Sequence, residues 1–244
     1  FTTGYKALIN HKLCVQCGLC IDLCRFDAIE EIDGRVTIKE TTCDGCKLCS
    51  RLCPTQAISM MPSNRSKWFK GTYRNGLMVH ARLAPGEENS GKLVNIVRSQ
   101  ARKMAEAANF DIIVIDGPPG IGCPVISSMT GAKKVVIVTE PSKSGFHDLK
   151  RVLELTANFS LTSCVIINKY DLNTEMSSNI EQFCKEREIS MIGKIPFDPE
   201  IVHAMVNCKS IIEWNPLSDT SLAIHKIWER VLQIDSKAIE PIEY

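Results

Sequence analysis

Apolar and polar positions alternate in a regular way along the later part of the chain. Short apolar runs of strand length recur at 77–83, 111–116, 134–139, 164–168 and 189–193. Between and after them, apolar residues fall at helical spacing over about 93–108, 145–159, 175–187, 198–208 and 217–233. Fully apolar strands that alternate with amphipathic helices are typical of a mostly parallel sheet with helices on both faces. The pattern therefore predicts an α/β fold.

The first 60 residues lack this pattern and are dominated by cysteine. Eight of the twelve cysteines fall in two runs with the same internal spacing, the second run starting 29 residues after the first. The runs are Cys14, Cys17, Cys20 and Cys24, then Cys43, Cys46, Cys49 and Cys53. Densely spaced thiols in a chain of 244 residues indicate metal binding in a reducing compartment such as the cytoplasm, and not a disulfide framework.

These two patterns predict two modules. We expect a cysteine module over residues 1–60, a linker over 61–76, and the α/β module over 77–244. The segment 63–76 contains basic and aromatic residues but no acidic residue, and we interpret it as a loop whose aromatic side chains pack on the cysteine module. Binding of single-stranded nucleic acid is the alternative.

Charge and hydropathy exclude some classes of partner. The chain has 29 Lys and Arg against 28 Asp and Glu, a net charge of +1, so no overall field favours nucleic acid. No apolar run reaches the roughly 18–20 residues that a membrane span needs. We therefore predict neither a nucleic-acid partner nor a membrane span.

The spacing of the two cysteine runs, with Pro54 directly after the last cysteine, resembles that of bacterial two-cluster ferredoxins. The resemblance implies a small α+β domain with two [4Fe–4S] clusters, in which each motif supplies three ligands to one cluster and one ligand to the other. It assigns one cluster to Cys14, Cys17, Cys20 and Cys53, and the other to Cys43, Cys46, Cys49 and Cys24.

Two details of the cysteine runs add to this interpretation. Gly18 and Gly45 are expected to let the loop backbone approach the clusters. Arg25 stands where the first motif often has proline, and a cation there is expected to raise a cluster potential. Paired zinc sites are the alternative, because Cys₄ zinc sites also use C-x-x-C pairs.

In the α/β part, one apolar run ends in an acidic residue. Asp116 closes the run 111–116 and is followed by a turn of glycine and proline, Gly117-Pro118-Pro119-Gly120. A buried strand that ends in a carboxylate and a glycine-rich turn is how a Walker B strand holds the water shell of Mg²⁺. An ordinary exit from a strand is the alternative.

Three later segments, 138–141, 165–171 and 195–198, follow in order on the predicted elements. With the Asp116 turn they resemble the MinD/Mrp branch of P-loop ATPases, specifically its MinD-like members with an inserted ferredoxin domain. The resemblance implies a P-loop NTPase-like fold, ATP or ADP with Mg²⁺ as a cofactor, and Asp116 as the catalytic residue. It implies nucleotide contacts from Gly117, Pro118, Pro119, Gly120, Asn168, Pro196 and Phe197.

The sequence contains one incomplete match to the phosphate-binding loop that such an enzyme requires. Residues 86–93 nearly match G-x-x-x-x-G-K-[ST], but Leu93 stands where a hydroxyl is required. We interpret this segment as a helix start capped by Asn89 or Ser90, and not as a P-loop. The family's P-loop is expected upstream of the ferredoxin insert, and the chain begins too late to hold it. Nucleotide is therefore expected to bind only when that segment is present.

Three functions follow from these features. The first couples nucleotide binding or hydrolysis to electron transfer or redox sensing through two clusters. The second is an iron–sulfur assembly or carrier ATPase of the Mrp type, and the third is an electron-transfer ferredoxin with a vestigial α/β domain. The expected partners are a redox protein or an apo iron–sulfur protein, with a homodimer or a heterodimer with a related ATPase as the assembly.

Overall fold

The structure is a computed structural model that describes residues 4–63, 65–74, 76–87 and 91–233. Contacts divide the described chain into two units. The first contains the residues up to Pro118 together with Cys123–Ser128, and the second contains Pro119–Gly122 and the residues from Met129 onward. These units do not coincide with the predicted boundaries at residues 60 and 77, so the predicted domain division stays a prediction.

The cysteine-rich part of the first unit consists of two short antiparallel strand pairs and two short helices. In chain order the elements are β1 (Gly4–Ile9), α1 (Leu19–Asp22), β2 (Ile29–Ile32), β3 (Arg35–Ile38), α2 (Leu48–Leu52) and β4 (Ile58–Ser63). Strand β1 pairs with β4, and β2 pairs with β3. Ala7, Ala28, Cys43 and Ile58 are buried between these elements, so half-buried cysteines supply much of the remaining core.

The internal repeat of the sequence is also a repeat of hydrogen bonds. The amide of Asn10 donates to the carbonyl of Ala57 over 2.7 Å, and the amide of Lys39 donates to the carbonyl of Ala28 over 2.8 Å. Each residue of one bond lies 29 positions from its counterpart in the other bond. The two halves of the cysteine region therefore share one pattern of backbone hydrogen bonds. In each bond, a residue before one cysteine motif pairs with a residue after the other motif.

The segment predicted as a linker is an antiparallel hairpin, so the prediction of a loop there is wrong. Strand β4 continues to Ser63, and β5 (Lys67–Tyr73) pairs with β6 (Gly76–Arg82). Helix α3 (Gly91–Ala107) packs against β6. Instead of packing on the cysteine region, Phe69 stacks on His80 across the hairpin at 5.1 Å between ring centroids. Cross-strand pairing of this kind stabilises a hairpin that composition alone does not reveal.

The second unit contains the predicted parallel sheet. Its strands β7 (Lys134–Thr139), β8 (Thr162–Asn168) and β9 (Ser190–Ile195) are parallel neighbours in that order. Helix α4 (Cys123–Met129) precedes β7 in the chain, and its residues up to Ser128 belong to the first unit. Helix α5 (Lys143–Asn158) connects β7 to β8, and a 3₁₀ turn (Tyr170–Leu172) with helix α6 (Thr174–Glu186) connects β8 to β9. After β9 the chain forms α7 (Glu200–Val206), α8 (Ile211–Trp214) and α9 (Asp219–Gln233). The bounds of the three strands and of α5, α6, α7 and α9 lie within a few residues of the predicted ones, whereas α4, α8 and the 3₁₀ turn were not predicted.

Helices cover both faces of the central strand. Val165 and Ile167 are fully buried in a core with residues of α5 and α6, such as Leu149 and Ile180. Ile166 faces the other way and packs with Ile227 of α9. Because successive side chains of a strand point to opposite faces, this alternation accounts for the uninterrupted apolar run. The predicted fold class is confirmed.

One predicted strand is wrong. Residues 111–116 form no strand, and Val114 is 76% exposed. An apolar run becomes a buried strand only where a neighbouring strand accepts its backbone hydrogen bonds, and no strand in the described residues pairs with it. Separately, among the described residues no helix combines the length and apolar character that crossing a membrane requires.

Candidate metal centres and nucleotide segment

The eight clustered cysteines surround two small cavities, both partly open to solvent. The first cavity is lined by Cys14, Cys17, Cys20 and Cys53, and the second by Cys24, Cys43, Cys46 and Cys49. Cys49 also reaches the first cavity. Three thiols of one motif and the last thiol of the other thus meet at each cavity, which supports the predicted crosswise assignment of ligands.

Short helices position the middle thiols of each motif. Cys20 lies on α1 and Cys49 lies on α2, and each helix begins after a residue in the left-handed conformation, Gly18 with φ 76° and Lys47 with φ 69°. The last thiols are held by the backbone: Cys24 Sγ accepts from the amide of Ala28, and Cys53 Sγ accepts from the amide of Ala57, each over 3.3 Å. Hydrogen bonds to ligand sulfurs orient the ligands and tune the potential of a cluster.

The two glycines of the motifs have different roles. A side chain at Gly45 would lie 2.1 Å from the carbonyl oxygen of Tyr5, whereas the same space at Gly18 is open. Gly45 is therefore required by the close approach of β1. Both glycines adopt positive φ, but they do not occupy equivalent positions of the repeat: Gly45 corresponds to Gln16, and Gly18 corresponds to Lys47.

The electrostatics of the thiols follows the same grouping. Burial raises the pKa of Cys20, and negative charge on Cys14, Cys17 and Cys53 raises it further. Burial likewise raises the pKa of Cys49, and negative charge on Cys43, Cys46 and, last, Cys20 of the first motif raises it further. Thiolates that destabilise one another in this way need a positively charged centre between them, and iron ions of a cluster provide that charge.

The arrangement suits clusters better than single metal ions. Within the described residues, no three Cys, His, Asp or Glu side chains converge closely enough to hold one ion. A tetrahedral zinc site requires four ligand atoms about 2.3 Å from a single point. Thiols spread around a cavity can instead bind separate irons at the corners of a cubane. The donor set and its geometry therefore fit two [4Fe–4S] clusters.

The segment that nearly matches a P-loop does not have the properties of one. Leu93 is buried, at 3% exposure, and the Glu87 carboxylate accepts hydrogen bonds from the hydroxyls of Ser63 and Ser66. Helix α3 begins at Gly91, as the interpretation of a helix start requires. The proposed caps Asn89 and Ser90 lie outside the described residues. The segment of this chain therefore does not fit a triphosphate.

The predicted Walker B segment is exposed. Asp116 and Gly117 lie at the surface, and Gly117 approaches the hydroxyl of Ser128 in the first unit. Pro119 and Gly120 belong to the second unit. The metal-binding role of Asp116 and the nucleotide contacts of Gly117, Pro118, Pro119 and Gly120 stay predictions.

The structure brings the remaining predicted nucleotide residues together. Asn168 at the end of β8 is paired with Ile195 at the end of β9, so Pro196 and Phe197 follow at the same edge of the sheet. The amide of Phe197 donates to the Asp171 carboxylate over 2.7 Å, which fixes this turn. Ligands of open α/β sheets bind at the carboxyl ends of the strands. The location is suitable, and the base contact stays a prediction.

Sequence reasoning missed an ion pair at this edge. Lys169, with φ 56°, directs its ammonium to the Glu140 carboxylate at 2.7 Å. Glu140 follows β7 and Lys169 follows β8, so the pair connects the ends of two neighbouring strands. The Asn168-Lys169 and Thr139-Glu140 dipeptides were visible in the sequence, but only the strand order makes their contact apparent.

Comparison with known proteins agrees with this architecture. Residues 7–60 match the 4Fe-4S dicluster domain, and residues 90–232 match a family described as NUBPL iron-transfer P-loop NTPase. An uncharacterised protein of Methanocaldococcus jannaschii, MJ0578, is 29% identical over 218 residues, which are 89% of this chain and 71% of that protein. The septum site-determining protein MinD of Bacillus subtilis is 26% identical over 62% of this chain and 58% of its own length.

Solved structures agree on the fold. The MinC:MinD cell division protein complex of Aquifex aeolicus contains a chain that superimposes with a TM-score of 0.51 at 22% identity. The match covers 72% of this chain and 70% of that one. At this identity, the structural similarity shows a shared fold and nothing further. This chain thus spans between 58% and 71% of the length of these relatives.

A dicluster domain joined to a parallel α/β sheet of the MinD type defines an iron–sulfur protein of the MinD-like class of P-loop NTPases. The family match at residues 90–232 covers more than half of the chain. The chain belongs to the NUBPL-type, ParA-related family of P-loop NTPases, and the predicted relationship to the MinD/Mrp branch is confirmed.

Proposed function

We propose that this protein transfers electrons or senses redox state through two [4Fe–4S] clusters, and that nucleotide bound at its α/β part controls that activity. The observation that carries the proposal is the grouping of thiols, in which each cavity is lined by three cysteines of one motif and the last cysteine of the other. When bound, such clusters accept and donate single electrons at low potential.

The crosswise grouping favours retention of clusters over their release. Cys24 and Cys53 lie at the ends of their own motifs, and each sulfur accepts a hydrogen bond from the backbone amide four residues further on, Ala28 or Ala57, while its thiol lines the cavity of the other motif. To release a cluster, the protein would have to open both motifs at once and expose the shared core around Ala28. Stable ligation of this kind suits a group that cycles between oxidation states in place.

Iron–sulfur transfer is the second candidate, and the family description favours it. A carrier of the Mrp type would hold a labile cluster on a C-x-x-C pair in the C-terminal part. Of the four cysteines outside the repeat, Cys164 and Cys184 are buried and only Cys123 and Cys208 are exposed. Burial raises the pKa of Cys164 to about 11, so that thiol is a poor metal ligand. The dispersed cysteines therefore favour the redox proposal.

Nucleotide control rests on the edge of the sheet formed by Asn168, Pro196 and Phe197, with the Glu140–Lys169 pair beside it. We propose Asn168 and Phe197 as contacts to the base, and Asp116 as the carboxylate that holds the water shell of Mg²⁺. This part of the proposal needs a phosphate-binding loop, which residues 86–93 do not provide. Without nucleotide control, the protein would be the plain electron-transfer ferredoxin of the third hypothesis.

The partners follow from the same proposal. An electron-transfer role requires a redox protein that docks near the clusters, and a transfer role requires an apo iron–sulfur protein. We propose a homodimer or a heterodimer with a related ATPase as the working assembly. A reducing compartment such as the cytoplasm would keep the eight clustered cysteines available as iron ligands.

One experiment separates the two main candidates. The protein would be isolated anaerobically with its clusters and mixed with an apo-ferredoxin, and the iron on each protein would be measured after separation. Retention of iron together with reversible reduction by dithionite is expected. Stoichiometric movement of iron to the apo-ferredoxin would favour the transfer function instead.

A further inference from the structure

A single lysine connects the second cysteine motif to the loop that precedes α3. Lys6, on β1, donates from Nζ to the carbonyl oxygen of Cys43 over 2.5 Å and to the carbonyl oxygen of Gly86 over 2.9 Å. Cys43 is the first thiol of the second motif and is buried. The positive charge of Lys6 therefore lies against the backbone of a proposed cluster ligand, although 37 residues separate the two in sequence.

The other half of the repeat differs at this position. Arg35 lies 29 residues after Lys6, at the corresponding position of β3, and its side chain is exposed. By the same relationship, Cys14 corresponds to Cys43. Within the hydrogen bonds of the described residues, only the second motif receives a lysine on its first ligand's carbonyl. The two halves of the repeat therefore differ in the charge that lies against the backbone of the first ligand.

The charges of the two motifs extend this asymmetry. Between its first and last cysteine, the first motif contains one charged residue, Asp22. The second motif contains Asp44, Lys47 and Arg51 between its own cysteines. Arg25 follows Cys24, the thiol that the crosswise grouping places at the second cavity. The second motif therefore carries a net positive charge between its cysteines, whereas the first carries a net negative charge.

The loop that Lys6 contacts is itself fixed to the cysteine region. The backbone of Gly86, with φ 74°, abuts that of Thr41, and a side chain there would lie 2.0 Å from the Thr41 carbonyl oxygen. Next to it, Glu87 accepts hydrogen bonds from Ser63 and Ser66. Residues 84–87 are thus anchored beside the segment that leads into Cys43, and Lys6 joins the two.

We propose that Lys6 is a positioning residue that makes the cluster of Cys24, Cys43, Cys46 and Cys49 the higher-potential cluster of the pair and fixes its ligand loop to the segment before α3. The proposal rests on the proposed function, since it concerns the clusters that function requires. Reduction adds one negative charge to a cluster, and a cation close to its ligands stabilises that charge. With both clusters bound, an added electron would therefore reside preferentially on the cluster held by Cys24, Cys43, Cys46 and Cys49.

The test is a potentiometric titration of the anaerobically isolated whole protein, followed by electron paramagnetic resonance with dithionite as the reductant. Cys17→Ser and Cys46→Ser, which each remove one cluster, assign the two reduction steps. The step that survives in Cys17→Ser is expected at the higher potential. Lys6→Met, which keeps the length of the side chain but removes its charge, should lower that step alone and reduce the separation of the two.

Two controls make the result specific. Lys6→Arg should keep the higher step close to its original potential, because it keeps the charge. Arg35→Met, at the corresponding position of the other half, should leave both steps unchanged. A lower potential for the Cys43 cluster in the unmodified protein, or a Lys6→Met protein in which both steps move equally or neither moves, would overturn the proposal. Protein without about eight irons would instead contradict the proposed function itself.

Discussion

The cysteine region and the edge of the parallel sheet provide their candidate sites in different ways. In the cysteine region, eight ligands, their supporting amides and the buried alanines all lie within one repeated segment of 60 residues, and β1 and β4 close it on itself. The edge of the sheet collects Glu140, Asn168 and Phe197 from three separate strand ends. A repeated local segment can thus define a complete site, whereas a site at a sheet edge depends on every segment that contributes to that edge.

Loss of iron should produce the largest difference between the two regions. The isolated protein is expected to contain about eight iron atoms, and chelation should unfold the cysteine region, because its core consists largely of ligand thiols. Amide exchange in β7, β8 and β9 should change little, since their core contains no clustered cysteine. Iron analysis and hydrogen exchange by mass spectrometry measure both effects. Stoichiometric zinc in place of iron would contradict the cluster assignment.

The two glycines of the cysteine motifs provide the next test. Gly45→Ala places a side chain against the Tyr5 carbonyl and also requires positive φ, so it should cost about 1–3 kcal/mol in overpacking beyond the cost of the backbone conformation. Gly18→Ala is the matched control, since it has the same positive φ but open space, and it should cost only about 1–2 kcal/mol. Chemical denaturation of the anaerobic proteins measures both. Equal costs would show that β1 does not constrain the second motif.

A smaller effect concerns pH in the α/β unit. The Trp214 indole donates to Glu200 over 2.8 Å, and with His203 it lowers the pKa of that carboxyl below its ordinary value of 4.5. Since the folded pKa lies below the unfolded one, the stabilisation is complete above the unfolded pKa and is lost as pH falls through the folded pKa. Trp214→Phe should raise the pKa of Glu200 in an NMR titration, while Trp228→Phe should not. An unchanged pKa in Trp214→Phe would contradict the role of this hydrogen bond.

The smallest expected effect is at Lys92. If residues 86–93 are a helix start, Lys92→Ala should change any affinity of the protein for ATP no more than the control Lys103→Ala does. Lys103 is an exposed lysine on the same helix. A P-loop lysine contacts the β- and γ-phosphates, so its removal would abolish binding. Titration with Mg-ATP measures this. A large loss confined to Lys92→Ala would show that the segment binds phosphate after all.

The Asp116 segment is tested in the same titration. In a form of the protein that includes a P-loop, Asp116→Asn should weaken the response to Mg-nucleotide, and it should leave the absorption of both clusters unchanged. The reason is that all eight thiols lie in the cysteine region. Loss of cluster absorption in Asp116→Asn would contradict the separation of the two sites. Tight binding of Mg-ATP by this chain would contradict the requirement for a further phosphate-binding loop.

The parts of the structure that the sequence predicted are those determined by local spacing. The resemblance of the cysteine repeat to two-cluster ferredoxins indicated which thiols line each cavity, and the apolar runs of β7, β8 and β9 indicated a sheet buried on both faces. The run 111–116 has the same composition but no strand beside it, and composition cannot report a missing neighbour. The hairpin of β5 and β6 was mistaken for a loop because its stabilising pairs, such as Phe69 with His80, lie across strands.

Contacts between residues distant in sequence could not be predicted either. The bond from Lys6 to Gly86 joins residues 80 positions apart, and the Glu140–Lys169 pair depends on the order of two strands. Neither contact leaves a spacing pattern that a single sequence can show. Both became apparent only when the fold placed the segments side by side.

The central claim is that each cysteine motif contributes its last thiol to the other motif's cluster. The most direct measurement compares Cys24→Ser with Cys17→Ser and Cys46→Ser by electron paramagnetic resonance of the reduced, anaerobically isolated proteins. Crosswise ligation predicts that Cys24→Ser perturbs the same signal as Cys46→Ser, although Cys24 belongs to the motif of Cys17. If Cys24→Ser instead perturbs the signal that Cys17→Ser removes, each motif binds its own cluster and the account is contradicted.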